Sequence, residues 1–167
     1  TGGIDIIVPN AGIAHVATIE ELSPEKFSQV MNVNLMGVFN IIKAAVPVFR
    51  RQQTGGNIVL ISSKNVFDPG AAFGAYSASK AAAHQISRIA ALELAELGVR
   101  VNMINPDAVF GHTTVSSKLW DYIGPDRMKS RGLDPEGLKE YYRQRNLLKT
   151  SVLAEHVGNA VVFFASN

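Results

Sequence analysis

The sequence predicts an α/β fold, a doubly wound parallel sheet flanked by helices, on two observations. Three apolar runs rich in β-branched residues, at 4–8, 57–62 and 99–106, are separated by long stretches of helical periodicity. Strand, long helix, strand, long helix, strand is the alternation of parallel strands joined by crossover helices. Each run also ends in a turn of small or polar residues: Pro9-Asn10-Ala11-Gly12, Ser62-Ser63 and Pro106-Asp107. Those are the strand ends at which open α/β sheets hold ligands.

The elements follow in order. Residues 4–8, bounded by Gly3 and Pro9, predict a short buried strand. Gly12 permits a tight turn and close backbone approach to a ligand. Ser23 can cap a helix, Pro24 suits its first turn, and Glu25 complements the dipole. Apolar residues then recur from Phe27 to Val46 at helical spacing, which predicts a helix to about Pro47 with a kink near Gly37. Asn32 and Asn34 lie within it, and an amide on an apolar helix face must find a partner. The turn at 53–56 leads into the second strand, which ends at the Ser63 hydroxyl. A second long helix runs from Tyr76 to Leu97 and stops at Gly98. Its alanines make a face suited to close packing. The third strand occupies 99–106.

A mixed polar stretch from about Phe110 to Thr150 carries Trp120, Tyr122, Tyr141 and Tyr142. Such a long insert is commonly a functional lid, and helices at 115–123 and 135–145 are expected to close over a substrate. Arg127, Arg131, Arg143 and Arg145 are candidates for an anionic substrate group, although any one of them is ordinarily a solvated charge. A last amphipathic helix starts near Ser151, its expected cap.

Composition narrows the function classes. The 167 residues fit one domain, 47% hydrophobic and 18% charged. A formal net charge of +2 with no basic block argues against nucleic acid. There is no cysteine, hence no disulfide framework or thiolate metal site, and His15 and His112, lone residues near strand ends, do not suggest a metal. No uncharged apolar run is expected to reach membrane-spanning length, and the first residues do not read as a signal peptide. A cytoplasmic location without membrane partners is the default.

The chemistry gathers between Ser63 and Lys80. Tyr76 and Lys80, four apart on a helix, share one face, beside the hydroxyl at the strand end. A phenol titrates near about 10, and an ammonium one turn away is expected to lower that value. Tyr76 would then trade a proton with a substrate oxygen that Ser63 holds. Taken singly, such a pair is usually a surface contact and Ser-Ser a turn. The joint spacing reverses that judgement. None of these groups carries a hydride, so a redox reading requires a cofactor.

Tyr76-Ser-Ala-Ser-Lys80, with Ser63 thirteen residues ahead, resembles the YxxxK motif and serine spacing of short-chain dehydrogenases/reductases. Asn10-Ala11-Gly12 resembles that family's NNAG turn, with Pro9 in place of the first Asn. The resemblance implies a Rossmann-like fold, an oxidoreductase activity and NAD or NADP as cofactor. It implies Asn34, Ser63, Tyr76 and Lys80 as the catalytic set, with Asn34 favoured over Asn32 by its spacing from Leu35-Met36-Gly37. Asn10, Ala11, Gly12, Tyr76, Lys80, Pro106, Asp107 and Val109 are implied on the cofactor side. Asp107 replaces the family's usual Gly, and Gly111 falls where a Thr is usual, with Thr113 and Thr114 close by. A homodimer or homotetramer through the long helices is implied as well.

The family's opening strand, its GxxxGxG phosphate loop and its final strand are not found in this stretch. It is therefore expected to be the central and C-terminal part of a dinucleotide-binding domain and, on its own, to bind dinucleotide poorly. More narrowly, Asn105-Pro-Asp-Ala-Val-Phe110 and Lys139-Glu-Tyr-Tyr-Arg-Gln-Arg-Asn-Leu-Leu148 resemble the dehydrogenase half of fused class II aldolase–dehydrogenases, which implies a small hydroxyaldehyde such as lactaldehyde as substrate. A non-catalytic relative kept for oligomerisation or scaffolding is the alternative, and an intact Ser63, Tyr76 and Lys80 argues against it.

Overall fold

The computed structural model describes residues 2–111 and 117–166. Three parallel strands lie in the order β1 (Ile6–Ile7), β2 (Gly56–Ile61), β3 (Val99–Ile104). The first crossover is α1 (Pro24–Met31), a π-helical segment (Asn32–Met36) and α2 (Gly37–Gln52). The second is α3 (Gly74–Glu93) with a 3₁₀ turn at Ala95–Leu97. Beyond β3 come α4 (Lys118–Arg131), α5 (Pro135–Arg145) and α6 (Ala154–Ala165).

One core fills the space between the sheet and the α2–α3 layer. Val38, Ile42, Ala45 and Phe49 of α2 meet Ile58 and Leu60 of β2 and Ala83 and Ala90 of α3. On a strand, alternate residues face opposite sides, so Asn57 turns the other way and its Nδ2 donates to the Ala165 carbonyl of α6 at 3.3 Å. The sheet is thus covered on both faces, as parallel sheets are.

Several boundaries differ from the sequence reading. β1 is two residues rather than five, and Ile6 and Val8 are exposed where a buried strand was expected. The regular register pairs Ile6 with Asn57 and Ile7 with Ile58, while the flanking Asp5 and Pro9 carbonyls still accept from the Asn57 and Ile61 N–H groups of β2. The first crossover helix runs past Pro47 to Gln52. Phe49, fully buried two residues later, anchors it to the sheet, and that burial offsets the hydrogen bond Pro47 cannot make. The irregularity expected at Gly37 lies just before it, as the π segment. By length and composition Pro24–Gln52 would reach across a bilayer, more than the sequence reading allowed, but here its buried stripe belongs to the sheet core. Ser23 caps α1 as expected, accepting from the Lys26 N–H at 3.3 Å. Ser151 does not cap α6. That helix starts at Ala154, and the Leu153 N–H donates to His156 Nδ1 at 3.2 Å. α4 ends eight residues later than expected, and its anticipated start at Val115 lies outside the described residues.

The turns that set strand register depend on glycine. Gly55 and Gly98 both have positive φ, 72° and 68°. A Cβ on Gly55 would stand 2.5 Å from the Gly98 carbonyl oxygen. Gly55→Ala combines a left-handed penalty with that overlap, and is expected to cost about 2 kcal/mol or more. A fall in the urea midpoint with an unchanged m-value checks it.

Candidate active site

Three strand ends meet at one rim. The Ile61 N–H donates to the Pro9 carbonyl at 3.1 Å, the Ser62 N–H to Ile104 at 2.8 Å, and the Lys64 N–H to Pro106 at 3.0 Å. Pro9, in place of an asparagine, therefore still takes part in strand pairing. These bonds hold the turns after β1, β2 and β3 side by side, and a cleft of about 670 Å³ opens over them.

Ser63 leaves β2 in extended conformation and is buried. Its hydroxyl accepts from the Asn65 N–H at 3.2 Å and lies near enough to the Tyr76 phenol to favour the ionised form. Tyr76 sits in the first turn of α3, its ring held edge-on to Phe73 at 5.9 Å between centroids. Lys80, one turn on, is buried. Its Nζ lies 5.9 Å from the centre of the Tyr76 ring and donates to the Ile61 carbonyl at 2.7 Å. The hydroxyl, phenol and ammonium thus line the same cleft.

The electrostatics differ from the sequence expectation. Lys80 does not acidify Tyr76 here. Burial pushes the phenol above its ordinary value, with the Ser63 hydroxyl opposing it only in part. Burial also pushes the Lys80 ammonium down to about 8. Desolvation penalises whichever form is charged, and in this cleft it outweighs attraction between the two groups. At neutral pH the phenol holds its proton.

Asn34 lies in the π segment and is buried, whereas Asn32 is exposed. The Asn34 amide is fully engaged. Its Nδ2 donates to the Ile13 carbonyl at 2.8 Å and to Ser79 Oγ at 2.9 Å, and its Oδ1 accepts from the Ile13 N–H at 2.8 Å. One side chain thereby ties the turn after β1 to α3. A Cβ on Gly12 would stand 3.5 Å from both Asn34 Oδ1 and Lys80 Nζ, so the turn passes directly over these groups. π segments within α-helices often mark functional sites, where the extra residue re-aims a side chain.

Asn10, Gly12, Pro106, Asp107 and Val109 line the cleft, whereas Ala11 is exposed outside its lining. Thr113, Thr114 and His112 lie outside the described residues. From the insert, Arg127, Arg131 and Arg145 reach the cleft. Arg143 does not: it pairs with Glu140 at 2.6 Å, three residues back on the same helix. Among the described residues no group of three or more His, Asp or Glu side chains stands together as a metal site. Lys64, Asn65 and Phe73 also line the cleft, unassigned by sequence reasoning although they flank the motif. Their nearness to Tyr76 in sequence was the available signal.

The family model described as short chain dehydrogenase matches residues 1–121. An uncharacterized oxidoreductase, YuxG, of Bacillus subtilis (strain 168) is 36% identical over 166 residues, 99% of this chain and 24% of that protein. The 2,3-dihydro-2,3-dihydroxybenzoate dehydrogenase of Escherichia coli (strain K12) is 31% identical, over 100% of this chain and 64% of its own. The crystal structure of sorbitol-6-phosphate 2-dehydrogenase SrlD from Erwinia amylovora superposes with a TM-score of 0.88 at 28% identity, covering 100% of this chain and 63% of that one. The chain therefore spans from about a quarter to just under two thirds of the length of these relatives.

Proposed function

The chain belongs to the short-chain dehydrogenase family, and from that premise we propose that the protein is an oxidoreductase that interconverts a small alcohol and its carbonyl with NAD or NADP. The observation that carries the reading is the meeting of Ser63, Tyr76 and Lys80 in one cleft at the C-terminal ends of the strands, with Asn34 beneath.

The site suits a nicotinamide cofactor. Lys80 is a buried ammonium with one hydrogen bond to Ile61, so further donors remain for a ligand hydroxyl. The Asn10–Gly12 turn and the Pro106–Val109 turn wall the cleft on two sides. When bound, the cofactor supplies the two-electron chemistry that no side chain here provides. The chain's own groups handle the proton. Ser63 holds the substrate oxygen, and Tyr76 Oη gives a proton to it as a carbonyl is reduced, or takes one as an alcohol is oxidised. Lys80 places positive charge near the phenol when the phenol ionises. Asn34 is a positioning residue that keeps the Gly12 turn against Lys80.

The finer reading is a small hydroxyaldehyde such as lactaldehyde as substrate, in a protein that also carries a class II aldolase domain. Support comes from the two stretches at 105–110 and 139–148. The Bacillus relative, of which the match occupies 24%, has room for such a domain. We also propose a cytoplasmic homodimer or homotetramer. Phe27, Met36, Phe39 and Ile41 of the first crossover and Ile89 and Leu92 of α3 are exposed apolar side chains suited to a partner copy.

The test is the nicotinamide absorbance of the full-length protein with NAD or NADP and a panel of small alcohols, and with the reduced dinucleotides and carbonyls that include lactaldehyde. Turnover with one dinucleotide is expected. A complete lack of turnover across the panel, in protein that is folded and assembled, favours the scaffold.

A further inference from the structure

The cleft holds a cation that the proton chemistry does not use. Arg127 projects from α4 with only 4% of its surface exposed. Among the described residues no carboxylate pairs with it. Its contacts are long: Nη1 to the Ala71 carbonyl at 3.5 Å and Nη2 to the Tyr142 hydroxyl at 3.4 Å. Its Nε is buried with no partner. A buried ion is costly unless it is paired and hydrogen-bonded, and a guanidinium is shaped to grip an oxyanion by two parallel bonds.

Its position faces the reacting groups. The guanidinium carbon lies 4.8 Å from the centre of the Phe73 ring, and the same ring stands edge-on to Tyr76. Arg127 and the phenol therefore flank one side chain within one cleft. The charged side chains lining the cleft are mostly cationic, with Asp107 the one carboxylate among the described residues of its lining. Arg131 lines the same wall, resting on the Tyr141 ring at 4.2 Å. Lys64 and Arg145 also line it, but they share the Asp68 carboxylate and are partly neutralised. Arg127 is held in advance of any ligand. Tyr142, its hydroxyl partner, packs against Trp120 at 5.0 Å, which ties α4 to α5.

We propose that Arg127 binds an anionic group of the substrate, and that the substrate is a small alcohol or carbonyl compound carrying a carboxylate or phosphate on the end away from the reacting oxygen. The proposal rests on the oxidoreductase reading above and competes with neutral lactaldehyde as the substrate, since lactaldehyde carries no anionic group for Arg127 to bind.

Matched probes test it in the full-length protein: 3-hydroxybutyrate against 2-butanol, and sorbitol 6-phosphate against sorbitol, with wild type, Arg127→Met and Arg127→Lys. The anionic member of one pair is expected to be preferred, and which pair responds separates carboxylate from phosphate. Arg127→Met is expected to shrink that preference about 10- to 100-fold, the size of a charged hydrogen bond, chiefly through KM, with Arg127→Lys recovering part. A second arm needs no turnover. Acetate or inorganic phosphate is expected to raise the unfolding temperature of wild type and not that of Arg127→Met; if the Met variant does not fold, Arg127→Lys serves, with a reduced rise. Equal protection of wild type and variant overturns the proposal. So does a loss that falls on the dinucleotide KM, which would assign Arg127 to the cofactor's phosphates. Turnover of the neutral probes alone sinks this proposal and leaves the oxidoreductase reading standing. Anion protection that depends on Arg127, without turnover of any alcohol or carbonyl, does the reverse.

Discussion

Tyr76→Phe in the full-length protein is expected to lower kcat/KM about 10³-fold, within the range that a positioned proton donor contributes. The ring stays, so its edge contact with Phe73 is kept. The cost in stability is expected to be about 1 kcal/mol or less, at most one hydrogen bond's worth of lost interaction at the phenol. Steady-state kinetics beside an unfolding curve separates the two quantities, and a variant that loses activity and fold together would not speak to the phenol's role. The direction of the phenol's shift adds a pH signature. Because burial keeps Tyr76 protonated at neutral pH, carbonyl reduction starts from the form that donates. Alcohol oxidation needs the phenolate, so its rate is expected to climb as pH rises toward the phenol's range. A flat oxidation profile from pH 7 to 10 would place the base elsewhere.

Lys80→Met is the second large effect, and it divides activity from stability. The Lys80 ammonium is buried and pushed down from 10.5 to about 8. Below about pH 8 the folded protein carries a charge it would rather shed, a burden of up to about 3 kcal/mol at 1.36 kcal/mol per pKa unit. Between about 8 and 10.5 the unfolded chain binds more protons than the folded one, so wild-type stability rises with pH in that window. Tyr76, whose value is raised, acts oppositely only above about pH 10, where unfolded phenols begin to ionise. Lys80→Met removes the charge but leaves the Ile61 carbonyl without its 2.7 Å donor, which costs about 1–3 kcal/mol. The variant is expected to be as stable as wild type at pH 7 or about 2 kcal/mol more so, to lose the rise between pH 8 and 10, and to lose at least about 100-fold in kcat/KM. Denaturant titrations at pH 7, 8, 9 and 10 check it. A variant much less stable at pH 7 would mean that the ammonium holds the fold together.

Where local chemistry decides, the sequence was readable. Ser23 with Pro24, and Pro135 after Asp134, fix two helix starts, and α5 occupies the span that its pattern predicts, with Asp134 accepting from the Gly137 N–H at 2.7 Å. The choice of Asn34 over Asn32 agrees with which of the two is buried. What could not be read depends on partners distant in sequence. The length of β1 follows from where it pairs with Asn57 and Ile58. The helix passes Pro47 because Phe49 finds the sheet. The ionisation of Tyr76 and Lys80 follows from burial, which their spacing does not record. Arg143 is different: Glu140 three residues earlier was visible as its partner. For Arg127, by contrast, only the fold shows that it is buried in the cleft with no carboxylate partner among the described residues.

The π segment at Asn32–Met36 has a bearing on which insertions and deletions the gene can tolerate. Such a segment is what an α-helix becomes when it absorbs one surplus residue. Losing a single codon there would let the helix wind regularly and would do little harm to it as a helix. Each residue turns about 100° about the axis, however, so the amide now bridging Ile13 and Ser79 would swing off its partners. Length at this point is therefore under a constraint that substitution tables do not capture: a frame-preserving deletion would leave a well-folded helix beside an unlatched turn.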